Sequence, residues 1–420
     1  MPQRTHHRRL TILATNSSFR RLFVAALGSG VGTYLAAVAL TVSIRDRTHS
    51  GVWVAGLLVA DFLPIVLVGL VLGPLVDRLS RRRLMIAADL VRLGVFVLLP
   101  FAHSPAQIVA LAGVAGVATG FFRPAVYAGV PNLVDGEDEL TVANSLLTGI
   151  ENIAWMLGPV LAGGLLVVSG PSLAYWINAV TFLFSALVIA RIPARSLQSQ
   201  ESLSRGHWRD VRDGVSLVLG TPQLRTVLLV WSVVIAGNAA LNDAEVFFAK
   251  DSLNAGNFGF GVLVGATGAG LVAGSFLTPF VLGKAGLRRL YPGAITIMGV
   301  GAIAASAAPS IWVAAPLAAL ATSGNGAAII CNQLLVQRGA PDVMRGRAIA
   351  VLMSSTYLVL ALAYAVTGPL TDAFGGRVLW AIAGAVYLCG AATALMRTRA
   401  LRRALDAAPL VDRIEAATQV

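Results

Sequence analysis

Gly73-Pro-Leu-Val-Asp77-Arg78-Leu-Ser80-Arg81-Arg82-Arg83 is a short charged break between two apolar runs, 51–76 and 84–101. A hydrocarbon core about 30 Å thick takes roughly 20 apolar residues per helix, so each flanking run is long enough to cross a bilayer. The same rhythm of long apolar run and short polar break continues in both directions, from Phe23 to Leu395. It predicts twelve spans, near 20–44, 51–76, 84–101, 105–127, 142–168, 172–191, 222–249, 258–282, 289–308, 311–336, 347–371 and 376–397. Composition agrees, with 56% of the 420 residues hydrophobic and 12% charged, where a soluble domain is about one quarter charged. The spans are expected to be helices, because lipid offers the backbone no hydrogen-bond partner. Stretches such as 161–168 lack the alternating polarity of a barrel strand. The 43 glycines suit close helix packing in lipid.

Charge sets the expected orientation. Arg45, Arg47, Lys250 and Arg377 fall on one side, and Arg92 and Arg123 fall within spans. The rest of the 32 Lys and Arg residues lie on the side of the N-terminus. That asymmetry predicts a multi-pass protein of the inner (cytoplasmic) membrane with both termini in the cytoplasm. It also explains the net charge of +12 without nucleic acid. The first apolar run, 22–44, is too long for the core of a cleavable signal peptide, so the arginine-rich tail before it is expected to stay. Cys331 and Cys389 sit in separate apolar runs, and neither a disulfide nor a metal is expected.

The polar stretch 191–221 divides the chain into an N-terminal six-helix bundle with its tail (1–190), a cytoplasmic linker (191–221), a C-terminal six-helix bundle (222–397) and a cytoplasmic C-tail (398–420). Shifting the first half by 206 to 210 residues brings Pro131–Leu146 onto Gln337–Leu352, and Gly158-Pro159 near Gly368-Pro369. Parallel halves of this kind, with a substrate site between them at mid-bilayer, form one architecture of secondary transporters.

The 73–83 loop resembles the signature loop of the major facilitator superfamily: a glycine, then Asp-Arg four residues on, then basic residues. Ser80 stands where that family has a further glycine. Phe122-Arg123-Pro124-Ala125, Pro131-Asn-Leu-Val134 and Ala143-Asn144-Ser-Leu146 resemble the macrolide-efflux-like branch of its drug:proton antiporters. Asn332-Gln333, Val336-Gln337-Arg338 and Arg345-Gly346-Arg347 look like the matching second-half motif. The resemblance covers essentially the whole chain and implies an all-α polytopic fold of twelve helices in two pseudo-symmetric bundles. It also implies a conformational latch at Gly73, Asp77, Arg78, Arg81, Arg82 and Arg123, where a plain positive-inside loop would account for the arginines but not for Asp77. Gly149, Gly158, Pro159, Gly163 and Gly164 resemble the antiporter motif of the fifth span, with one residue more than usual between Gly-Pro and Gly-Gly. A generic packing face is the other reading of these small residues.

Ionisable residues inside spans are costly and therefore usually functional. Asp61, three residues before Pro64, is the first candidate for proton coupling, against a carboxyl group merely bonded to a neighbouring helix. Glu151 is a second candidate or an inner-mouth residue. Asp89 and Arg92, three apart, are expected to form a structural pair on one helix face. In many members of the resembled family an acidic residue follows the glycine of the first span, and here Thr33 follows Gly32. Asn238, Asn242 and Asp243 make a polar face that, with Tyr34, Trp155, Tyr357 and Tyr364, could line a cavity for a flat or cationic ligand. A solvated helix end and ordinary aromatic packing are the competing readings.

No Gly-x-x-x-x-Gly-Lys-Ser/Thr phosphate loop is present, so an ion gradient is expected to supply the energy. The sequence therefore predicts a monomeric, cofactor-free secondary transporter, not an enzyme, whose partners are a small-molecule substrate, protons and the bilayer. The expected activity is export of lipophilic or cationic compounds by proton antiport and alternating access. Export of one dedicated metabolite such as a siderophore, or lysophospholipid transport, is the neighbouring reading, and a non-transporting receptor or scaffold the more distant one.

Overall fold

The computed structural model of the protein describes residues 12–71, 79–197 and 207–407, and every regular element in them is helical. The long helices of the first half are α1 (Ser17–Thr48), α2 (Gly51–Val71), α3 (Arg81–Leu98), α4 (Pro105–Gly129), α5 (Gly136–Ser169) and α6 (Pro171–Ala190). A shorter helix, α7 (His207–Gly220), lies in the polar stretch between the halves. There follow α8 (Pro222–Phe247), α9 (Gly256–Ala285), α10 (Leu287–Ser306) and α11 (Ile311–Gly339). The continuous helical stretch Asp342–Ala407 is broken by Gly375, whose φ of 76° is not helical. That break separates α12 (342–374) from α13 (376–407). Setting α7 aside, the described residues carry twelve long helices, in a polytopic all-α fold.

Local chemistry starts and stops these helices. Asn16 caps α1, its side chain accepting from the Phe19 amide at 2.9 Å. Ser104 and Gln107 form a reciprocal capping box at α4, with Pro105 at the first helical position. Proline also opens α6 and α8, where the missing N–H costs nothing because that amide has no intrahelical acceptor. His49, in the left-handed region at φ 50°, closes α1.

The chain forms two compact units. Unit 1 comprises Met1–Ser204 with Ala249–Gly265, and unit 2 comprises Arg205–Phe248 with Ala266–Val420. In unit 1, α1 packs on α5 and α6, α2 on α4, and α3 on both α4 and α6. Its arginine-rich end is closed by a cluster that includes Phe19, Leu22, Met85, Phe122, Val126 and Ile189. The segment 249–265 joins this unit through Lys250, which pairs with Asp46 at 2.6 Å, and through an Arg45–Asp251 ion pair. In unit 2, α10 packs on α11 and on the α12–α13 stretch, which also holds α8. Pairing of α3 with α6 in the first unit thus has its counterpart in α10 with α13 in the second.

Side chains sort by size more than by polarity. Many buried positions are alanine, while Val168, Phe276, Phe280 and Trp312 are exposed to between 67 and 85%. In water such a surface would signal an interface, whereas against lipid tails it is the neutral arrangement, and small residues inside let backbones approach.

Candidate functional site

Unit 1 carries the two proton-coupling candidates, Asp61 and Glu151, in different settings. Asp61 lies mid-way along α2, partly buried, and its carboxylate has no hydrogen-bond or ion-pair partner among the described residues. Pro64 has no N–H to give to the carbonyl of Ala60, four residues back. At that turn the α2 backbone meets Gly116 of α4: a Cβ at Gly116 would lie 2.6 Å from the Asp61 carbonyl oxygen and 2.8 Å from that of Ala60. The sequence therefore sets a carboxylate beside a locally weakened stretch of helix.

Glu151, on α5, is differently held. Arg123 Nη2 donates to its Oε2 at 2.9 Å and the Tyr127 hydroxyl to its Oε1 at 3.2 Å, with both charged side chains more than a third exposed. Arg123 and Tyr127 are one turn apart on α4, so one helix face supplies both donors. Arg81 donates to the carbonyls of Ala128 (2.9 Å) and Leu197 (3.1 Å), and Arg82 to that of Ala190. Both arginines therefore neutralise carbonyls at the C-terminal ends of helices, where partial negative charge collects. Gly73, Asp77 and Arg78 lie outside the described residues.

The fifth-span glycines divide into two kinds. A Cβ at Gly158 would sit 2.6 Å from Tyr34 Cβ on α1, and one at Gly163 would sit 2.7 Å from the Gly261 Cα. Gly149 and Gly164 face open space. Trp155 and Pro159 are carried on the same helix. Asp89 and Arg92 of α3 are buried and joined at 2.5 Å. The Arg92 guanidinium lies over the rings of Phe122 and Phe182, 4.2 and 4.4 Å from their centroids.

In unit 2 the polar face of α8 is tied into its own bundle. Tyr387 of α13 donates to Asn238 Oδ1 at 2.6 Å, Asn242 donates to the Tyr364 hydroxyl at 3.3 Å, and Thr371 donates to Asp243 Oδ2 at 2.6 Å. Asp243 is fully buried. Glu245, almost as buried, keeps one carboxylate oxygen without a hydrogen-bond partner among the described residues, as does Asp243. Tyr357 of α12 is half-buried. Thr371 and Tyr387 were not among the residues the sequence marked as site candidates. They carry no signal of spacing or charge, whereas Glu245 belongs to the polar group the sequence shows in the outer half of this span, and its burial argues against a solvated helix end. No group of three His, Cys, Asp or Glu residues suited to a metal occurs among the described residues.

Residues 12–415 match the family model described as transmembrane secretion effector. The chain is similar to the multidrug efflux pump Tap of Mycobacterium tuberculosis (strain ATCC 25618 / H37Rv), at 26% identity over 409 residues, covering 93% of this chain and 94% of that one. It is also similar to the putative bacilysin exporter BacE of Bacillus subtilis (strain 168), 30% identical over 260 residues, which cover 57% of this chain and 62% of that one. Among solved structures, a bacterial homolog of the human lysosomal transporter Spinster superposes with a TM-score of 0.73 at 12% identity, covering 93% of this chain and 97% of that one. At that identity the likeness shows the fold alone, which is the major facilitator fold.

Proposed function

Because the chain belongs to the transmembrane secretion effector family of major facilitator transporters, we propose that this membrane transporter exports lipophilic or cationic small molecules by proton antiport. Its similarity to proteins named as a multidrug efflux pump and a bacilysin exporter supports the outward direction. The observation that carries the coupling is Asp61, a carboxylate without a partner among the described residues, on a proline-weakened helix. A charge in that setting is costly, so the group gains by taking up a proton and loses little by giving it away when water reaches it. Glu151 differs: bound to Arg123 and Tyr127, it joins Asp77, Arg78, Arg81, Arg82 and Arg123 in a latch, of which Arg81 and Arg82 bond helix-end carbonyls. Alternating access then proceeds by making and breaking that latch as Asp61 changes protonation. Positive charge on the side of the termini supports a cytoplasmic location for them in an inner-membrane protein, and in this reading the protein acts as a monomer.

The test uses inverted membrane vesicles from an overexpressing strain and a fluorescent lipophilic cation such as ethidium. Uptake into the vesicles is expected to require the proton gradient and to be lost in Asp61→Asn. Normal uptake by that variant with an unchanged pH profile removes Asp61 from the coupling role. A narrower reading, export of one dedicated compound, is favoured by the similarity to the bacilysin exporter. It predicts efflux of few members of a chemically diverse panel.

A further inference from the structure

Helices α10 and α13 touch where a Cβ on Gly299 would meet Leu388 and the Gly384 carbonyl, at 2.7 to 2.9 Å. Toward the end where α10 begins and α13 finishes, residues of both helices line an open wedge. The wedge between them is a cavity of about 530 Å³. Its lining is mostly apolar, with Pro292 and Gly293 from α10 and Leu388 and Leu395 from α13, and also includes Thr296, Thr398 and the arginines Arg288 and Arg289. Both arginines are exposed, and neither guanidinium has a hydrogen bond or ion pair among the described residues.

The first half treats the matching corner differently. A shift of 206 residues takes Arg82 onto Arg288 and Ala190 onto Met396, and in unit 1 Arg82 donates directly to the Ala190 carbonyl. There the α3–α6 pair is tied shut by its own side chain. In unit 2 the same kind of charge stands among the residues that line an open, mostly apolar wedge.

We propose that this wedge is a binding site for an anionic phospholipid, with its phosphate on Arg288 and Arg289 and the upper part of its tails along Pro292, Gly293, Leu388 and Leu395. A free anion would need no apolar walls, and a neutral lipid would leave two guanidinium groups uncompensated. A planar guanidinium meets phosphate oxygens in bidentate geometry, and arginine-rich pockets between transmembrane helices on the cytoplasmic side fit anionic headgroups. The choice of the cytoplasmic leaflet rests on the orientation proposed above, whereas the binding itself does not.

The experiment is native mass spectrometry of the full chain in detergent with added phosphatidylglycerol or phosphatidylethanolamine. The wild type is expected to retain phosphatidylglycerol selectively. The double variant Arg288→Gln/Arg289→Gln should lower that retention about tenfold or more, the scale of one charge-assisted hydrogen bond. Gly293→Leu keeps both charges but fills the wedge. A Cβ at Gly293 meets no atom within 4 Å, so this variant is expected to fold and still lose the lipid. Wild-type retention in both variants overturns the proposal. Displacement of the lipid by millimolar inorganic phosphate overturns it in favour of a free-anion site. Selective retention that emerges only when residues 408–420 are removed assigns the wedge to the chain's own tail and likewise overturns it. Loss of ethidium transport with lipid retention intact would count against the transport reading alone.

Discussion

Among single residues, Asp89 and Arg92 show how much a spacing can tell. Three residues apart on a helix, they were expected to pair, and they stand 2.5 Å apart in the bundle. The spacing could not tell that Phe122 and Phe182, from two other helices, would cover the guanidinium. Nor could it tell that Asn238, Asn242 and Asp243 would be claimed by Tyr387, Tyr364 and Thr371, which lie more than 120 positions further along the chain. A polar face is legible from periodicity, but its partner is set by tertiary packing. Removing one member of a buried ion pair leaves the other uncompensated, typically a loss of about 3–5 kcal/mol. Arg92→Met should therefore lower the midpoint of thermal unfolding in detergent sharply. The double variant Asp89→Leu/Arg92→Met should recover most of that loss, and a double variant no more stable than the single one would show that the ion pair is not the source of the effect.

At the scale of helices, hydrophobic runs locate the spans, because the bilayer demands length more than it demands any particular side chain, although α5 begins at Gly136 rather than near 142 and α13 continues to Ala407 rather than 397. Two features escaped that reading. The polar stretch 191–221 contains a regular helix, α7, which packs in unit 2 with Asp213 within 3.4 Å of Arg347. Five similar-looking glycine and proline positions on α5 also hid a real difference, since only Gly158 and Gly163 of the motif glycines stand at close approaches between helices. A Cβ at Gly158 has no room because it opposes the backbone and Cβ of α1 rather than the end of a flexible side chain. Gly158→Val should destabilise the protein by about 1–3 kcal/mol, the usual cost of overpacking. Gly164→Val, two turns further on and facing open space, should change the melting midpoint little. Equal effects from the two variants would mean that intrinsic helix propensity, not the α1–α5 contact, dominates.

For the molecule as a whole, the twofold repeat was legible from the alignment of Pro131–Leu146 with Gln337–Leu352, and the structure repeats the pairing of α3 with α6 as α10 with α13. The repeat conceals divergence that only packing brings out, such as the corner closed by Arg82 in one half and open in the other. Connections within the halves are short. His49 and Ser50 separate α1 from α2, Gly170 alone separates α5 from α6, and α12 turns into α13 at Gly375. A joint of one residue has no slack to pay out under load. Pulled from its C-terminus by a force probe, the chain should therefore surrender α12 and α13 together, as one mechanical step with the contour length of 342–407, and separate rupture of the two would place a yielding point at Gly375 itself.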